Sequence, residues 1–133
     1  MGTGNLEIVK EFLKALSEGK SGDELSYFYA KDVIQTEYPN SLSKKITERN
    51  FHEILEASIR GKQAISKQKY EIVKSYSVDD VIIIEAIWTG ILSIPVGKLA
   101  VGDEMKAYFA QFIEFKNGKI IKQRTYDCFE NFL

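Results

Sequence analysis

The first half of the chain carries helical periodicity. Leu6, Val9, Phe12, Leu13 and Leu16 recur at the 3.6-residue spacing of one helix face, which predicts a helix capped by Asn5 and stopped by Gly19. Ser21-Gly22-Asp23-Glu24 has the capping-box pattern, Ser followed three residues later by Glu, and leads into Leu25 and Phe28 as a short second helix. Residues 32–38 read as a strand stopped by Pro39-Asn40, and residues 41–46 as a loop. Thr47 reads as an N-cap with Glu48 in the first turn, and Phe51, Ile54, Leu55 and Ile59 as the apolar stripe of a third helix.

Beyond about Ile65 the period changes from 3.6 to 2. Residues 69–78, 81–93, 104–115 and 119–129 read as strands. Asp79-Asp80 supplies one turn, and residues 94–102, with Pro95, Gly97 and Gly102, form a loop. Asn117-Gly118 is a two-residue hairpin signal, because both central residues of a type I′ turn need positive φ. Helices followed by antiparallel strands on short turns predict an α+β domain spanning residues 1–133, not a parallel sheet.

Composition narrows the classes of function. Leu, Ile, Val and Phe together supply 40 of the 133 residues, enough for a core that needs no disulfide or metal staple. A net charge of −1 argues against phosphate-driven binding of nucleic acid. The longest aliphatic run, Val81–Ile84, ends at Glu85, far short of a membrane span. The single Cys128 excludes an internal disulfide. With no basic-then-apolar leader pattern, the expected location is cytoplasmic.

Candidate chemistry is sparse. One His and one Cys leave no zinc set and no nucleophilic triad, and His52 falls on the solvent side of its helix. No glycine spacing matches a phosphate loop or a dinucleotide fingerprint, so neither metal nor cofactor is expected. Carboxylates remain, and strand parity sorts them. Gln123, Thr125, Asp127 and Phe129 share one face of the last strand. Met105, Ala107, Phe109, Gln111 and Ile113 share one face of the strand before it.

Five segments together carry a resemblance. They are Tyr29-Ala30-Lys31-Asp32-Val33, Glu37-Tyr38-Pro39-Asn40, Trp88-Thr89-Gly90, the run from Phe112 to Ile120, and the run from Gln123 to Phe129. In this order and spacing the chain resembles the nuclear transport factor 2-like superfamily, and within it the SnoaL-like branch. The resemblance implies a cone: a strongly curved, mainly antiparallel sheet wrapped around three N-terminal helices, with an apolar pocket at the open end. It also implies a homodimer through the outer sheet face, where Ile83, Ile87, Tyr108, Phe112 and Tyr126 would otherwise form an exposed apolar patch.

The superfamily's enzymes differ from this chain at their reactive positions. The oxyanion tyrosine of ketosteroid isomerase falls on Phe12. The Arg and Asp of limonene epoxide hydrolase fall on Ala86 and Trp88. Scytalone dehydratase relies on a His–carboxylate pair, for which His52 is unsuited. The SnoaL-like acid position falls on Thr125, with Asp127 two residues further on the same face. On this inward face the expected walls are Ala86, Trp88, Phe109, Ile113 and Phe129, and the polar points are Gln35, Glu37, Gln111, Thr125 and Asp127.

Two functions follow. One is a cofactor-independent isomerase, cyclase or dehydratase acting on a small apolar molecule, with Asp127 and Glu37 as acid or base. The other is a non-catalytic module of the same fold that binds a ligand or a partner. In that case Asp127 is a hydrogen-bonded structural carboxylate and Glu37 a solvated strand-end residue.

Overall fold

The computed structural model describes residues 2–133, with side chains from residue 4 onward. Helix α1 spans Gly2–Ser17, so Asn5 lies inside it and is not its cap. Gly19 does end it: with φ of 83°, it lets its own N–H bond Leu16 O and the Lys20 N–H bond Ala15 O. The second helix, Gly22–Phe28, is a 3-10 helix, held at its start by the Glu24 carboxylate on the Ser21 N–H.

Strand β1 (Tyr29–Glu37) starts three residues earlier than its alternation suggests. Thr47 is not a helix cap. It opens a short strand, β2 (Thr47–Arg49), and the true cap of α2 (Phe51–Ala64) is Asn50. The Asn50 side chain accepts from the Glu53 N–H at 3.0 Å, and the Glu53 carboxylate accepts from the Asn50 N–H at 2.9 Å. The Asn50/Glu53 pair answers more orphan donors than Thr47 would, so three residues are left to extend the sheet.

Four long strands follow: β3 (Ile65–Val78), β4 (Val81–Leu92), β5 (Glu104–Lys116) and β6 (Lys119–Phe129). Strand β3 begins four residues before its alternation becomes readable, because register shifts at Ile65/Lys67 and Ile72/Lys74 break its parity. Asn117 and Gly118, with φ of 52° and 75°, form the expected tight turn.

The six strands run in the order β2-β1-β6-β5-β4-β3 in one open sheet. All neighbours are antiparallel except β1 and β6, which run parallel. Helix α2 touches β1 and β2 at one edge and β3 at the other. A sheet whose opposite edges reach the same helix must be strongly curved. Its concave face buries Val33, Ile82, Ile84, Ile113 and Ile120 against Val9, Phe12, Leu13, Leu25, Ile54 and Leu55. Ala86 and Ile113 belong to this core and do not form pocket walls.

A second apolar cluster closes the far end. Leu92, Met105 and Phe132 are buried there, with Val96, Leu99 and Phe129 packed on them. The Lys98 N–H donates to Phe132 O at 2.7 Å, which ties the 94–102 loop to the C-terminal residues. No helix among the described residues is long and apolar enough to cross a membrane.

Candidate functional site

The helices fill only part of the cone. Beyond them lies a cavity of about 720 Å³, bounded by the C-terminal ends of α1 and α2 and by the inner faces of all six strands. Trp88, Phe109 and Phe129 line it, and so do Gln35, Glu37, Gln111, Thr125 and Asp127. The structure therefore brings eight of the ten residues expected on the inward face into one space, all but Ala86 and Ile113. The reason is register: Gln111 pairs with Thr125, Phe109 with Asp127 and Ala107 with Phe129, with no irregularity between them. The shift in the β5–β6 pair falls at Glu114/Phe115, beyond these rungs.

The two carboxylates differ in their surroundings. Glu37 is held on both oxygens: Arg49 Nη1 reaches Oε1 at 3.1 Å, and the Asn40 amide donates to Oε2 at 2.9 Å. Among the described residues Asp127 has neither a cation nor an amide. Its one side-chain partner is Thr125, whose hydroxyl donates to Oδ1 at 2.7 Å. Burial pushes the Asp127 carboxyl up, the Thr125 hydroxyl opposes that rise by favouring the ionised form, and the negative charge of Glu37 adds to it.

Three further cavity residues were not legible from alternation alone. Tyr70 lies on β3 opposite Trp88, with its ring edge-on to Phe109 at 5.9 Å. Burial, with the charge of Asp127 adding to it, raises its phenol well above the ordinary value, so it remains a neutral donor. Gln68 accepts from the Trp88 indole N–H at 2.9 Å and donates to Leu16 O at 3.0 Å. Trp88 thus has its only polar group satisfied and offers the cavity a ring face. Arg49 is the third. The parity of β3 is broken by its bulges, and β2 is too short to show a pattern, so neither strand advertised these side chains.

The rim carries Lys20, Lys62 and Lys67. Among the described residues no group of His, Cys, Asp and Glu could hold a metal ion. The arrangement is an apolar chamber with one carboxyl of raised proton affinity and neutral donors around it. Such a group can take a proton from, or give one to, a carbon or enol oxygen of a bound molecule.

No protein-family model matches the chain, and no curated protein matches it in sequence. Solved structures do match in shape. AclR, a candidate hydroxylase from Streptomyces galilaeus, aligns with a TM-score of 0.79 at 11% identity, over 96% of this chain and 76% of that one. IdmH, a candidate polyketide cyclase from Streptomyces antibioticus, aligns at 0.75 and 14% identity, over 92% and 91%. A nuclear transport factor 2-like protein from Burkholderia xenovorans aligns at 0.68 and 15% identity, over 96% and 91%. At these identities the likeness establishes the fold: the chain has the nuclear transport factor 2-like α+β cone shared by SnoaL-like and ketosteroid isomerase-like proteins.

Proposed function

We propose that the protein binds a small apolar molecule in the cone and moves a proton on it with Asp127, as a cofactor-independent enzyme of the isomerase, cyclase or dehydratase class. The observation that carries this is the contrast between the two cavity acids. Glu37 is neutralised by Arg49, while Asp127 is partly desolvated, unpaired with any cation, and set beside the Thr125 hydroxyl. Glu37 then serves to position and to bias Asp127, not to exchange the proton. The likeness to candidate polyketide cyclases agrees with a small-molecule substrate.

The test is a carbon acid that needs only a base. In the ring opening of nitrobenzisoxazole, the Asp127 carboxylate would take the ring C–H proton. The C–H electrons would form the nitrile, and the N–O bond would break to release a phenolate. The wild-type chain should accelerate this reaction above free carboxylate, with a rate that rises as Asp127 ionises. Asp127→Asn should lower the rate ~100-fold or more, in line with the usual contribution of a positioned base, while an apolar fluorescent probe still binds. A variant that keeps its rate would sink the catalytic reading. A wild-type chain that binds the probe without accelerating the reaction would leave the non-catalytic module.

The outer sheet face supports a homodimer. Tyr108 and Tyr126 are 43% and 42% exposed, with Ile83, Ile87 and Phe112 beside them. Tyr38 stacks on Tyr126 at 4.4 Å and extends the patch. A two-fold contact would cover it on both copies. Light scattering should give a dimer mass that Tyr108→Lys reduces towards the monomer; a wild-type monomer at micromolar concentration would end the proposal. The exposed free thiol of Cys128 fits a cytoplasmic location.

A further inference from the structure

Four polar side chains cross the inner face of the sheet in a row, from β2 through β1 and β6 to β5. Arg49 Nη1 donates to Gln35 Oε1 at 3.3 Å. Gln35 Nε2 donates to Gln123 Oε1 at 3.0 Å, and Gln123 Nε2 donates to Gln111 Oε1 at 3.1 Å. A lone glutamine can turn either end of its amide to a neighbour. Here the direction is forced. A guanidinium has donors and no acceptor, so Gln35 must present its oxygen to Arg49. That leaves the Gln35 NH₂ for Gln123, whose oxygen must meet it. Gln123 is 3% exposed, so a reversed amide would leave like atoms facing each other with no water to relieve them. The same step repeats at Gln111, whose oxygen is consumed by Gln123. The NH₂ of Gln111 is the group left for the cavity that this residue lines.

We propose that Gln111 is the donor that binds a carbonyl or enolate oxygen of the ligand, with Arg49, Gln35 and Gln123 as positioning residues that fix its polarity. The inference rests on the reading of the cone as a small-molecule site worked by Asp127. Gln111 pairs with Thr125 and Asp127 with Phe109, so Gln111 and Asp127 are diagonal neighbours on one face, within reach of one small ligand. The substrate class is therefore a carbonyl compound with an acidic C–H beside the carbonyl. Asp127 takes that proton, the C–H electrons form the C=C bond of an enolate, the carbonyl π pair moves onto the oxygen, and the Gln111 N–H holds the charge that develops there.

Acetylnaphthalene and ethylnaphthalene differ by little more than the oxygen and serve as probes. By calorimetry the wild-type chain should bind the ketone about tenfold more tightly, the ratio that one well-placed hydrogen bond gives. Isotope-edited infrared spectra should show the bound carbonyl stretch at lower frequency than in hydrocarbon solvent. Gln111→Leu should remove both effects. Gln123→Glu keeps the shape but accepts from both neighbours, which turns the Gln111 oxygen to the cavity; the ketone preference should vanish, and the corresponding alcohol should gain. Arg49→Met, for use if the buried carboxylate prevents folding, should weaken the ketone preference and broaden the carbonyl band. A ketone preference and band that survive Gln111→Leu overturn the proposal. Equal binding of both probes to the wild-type chain overturns it while leaving the small-molecule site intact. Failure of both probes to bind removes the site and the proposal together.

Discussion

The cavity has two walls of different construction. The wall formed by β4, the 94–102 loop and the C-terminal residues is held by packing: Trp88, Phe129 and Phe132 meet edge to face, with Leu92 and Met105 behind them. The wall formed by β2, β1, β6 and β5 is held by hydrogen bonds among Arg49, Glu37, Gln35, Gln123 and Gln111. Packing energy depends on volume, whereas hydrogen-bond energy depends on which atom donates. Substitutions in the first wall should therefore cost stability, whereas shape-conserving substitutions at the partly exposed residues of the second should act mainly on protons and polarity.

The largest effect belongs to Phe132. It is 3% exposed and joins the loop to β4 and β5. Phe132→Ala should cost about 3 kcal/mol, the low end for truncating a buried aromatic, read as a lower denaturation midpoint. Gly90→Ala comes next. An added Cβ would lie 2.5 Å from Trp88 Cζ2, so the indole must move. We expect a loss of about 1–3 kcal/mol, as for overpacking elsewhere, and a changed emission of Trp88, the chain's single tryptophan. If either substitution were silent, the apolar wall would not be packed as described.

The same division explains what alternation could reveal. Strand parity worked where strands pair without interruption, and so placed Thr125, Asp127, Gln111 and Trp88 on one face. It was blind to Tyr70 and Gln68, because β3 carries two register shifts that reset its period. Arg49 was hidden for another reason. A three-residue strand next to a strong capping signal is indistinguishable from the start of a helix, and only the pairing of Gln35 with Arg49 reveals it. Apolar residues such as Ala86 and Ile113 face the right side but lie under the helices, since parity gives direction and not depth.

In the polar wall, Asp127→Asn should act mainly through pH. The folded chain holds the Asp127 proton to a higher pH than the unfolded chain, where an aspartate titrates at about 3.9. Between that value and the raised one the folded state binds more protons, so this residue's contribution to stability falls as pH rises. Above the window an ionised, partly buried carboxylate is a standing cost. Asp127→Asn should therefore be at least as stable as wild type at neutral pH, and should lose that advantage as the pH falls below the window. A variant less stable than wild type at neutral pH would mean that the ionised carboxylate is a structural anchor.

The smallest effects are opposed. Two neighbours tune Asp127: the Thr125 hydroxyl, which stabilises its charge, and Glu37, which repels it, with Thr125 the stronger. Thr125→Val removes the donor, keeps the shape, and should raise the Asp127 titration seen by carboxyl-carbon NMR. Glu37→Gln removes the repelling charge and frees the Arg49 guanidinium it had neutralised; both changes favour the ionised form, so the titration should fall. The two shifts should therefore run in opposite directions. A fall on Thr125→Val would show that the Thr125 hydroxyl does not stabilise the ionised carboxylate. A rise on Glu37→Gln would show that the Arg49 pair holds the polar wall closed around the carboxyl, and that opening it changes burial more than charge.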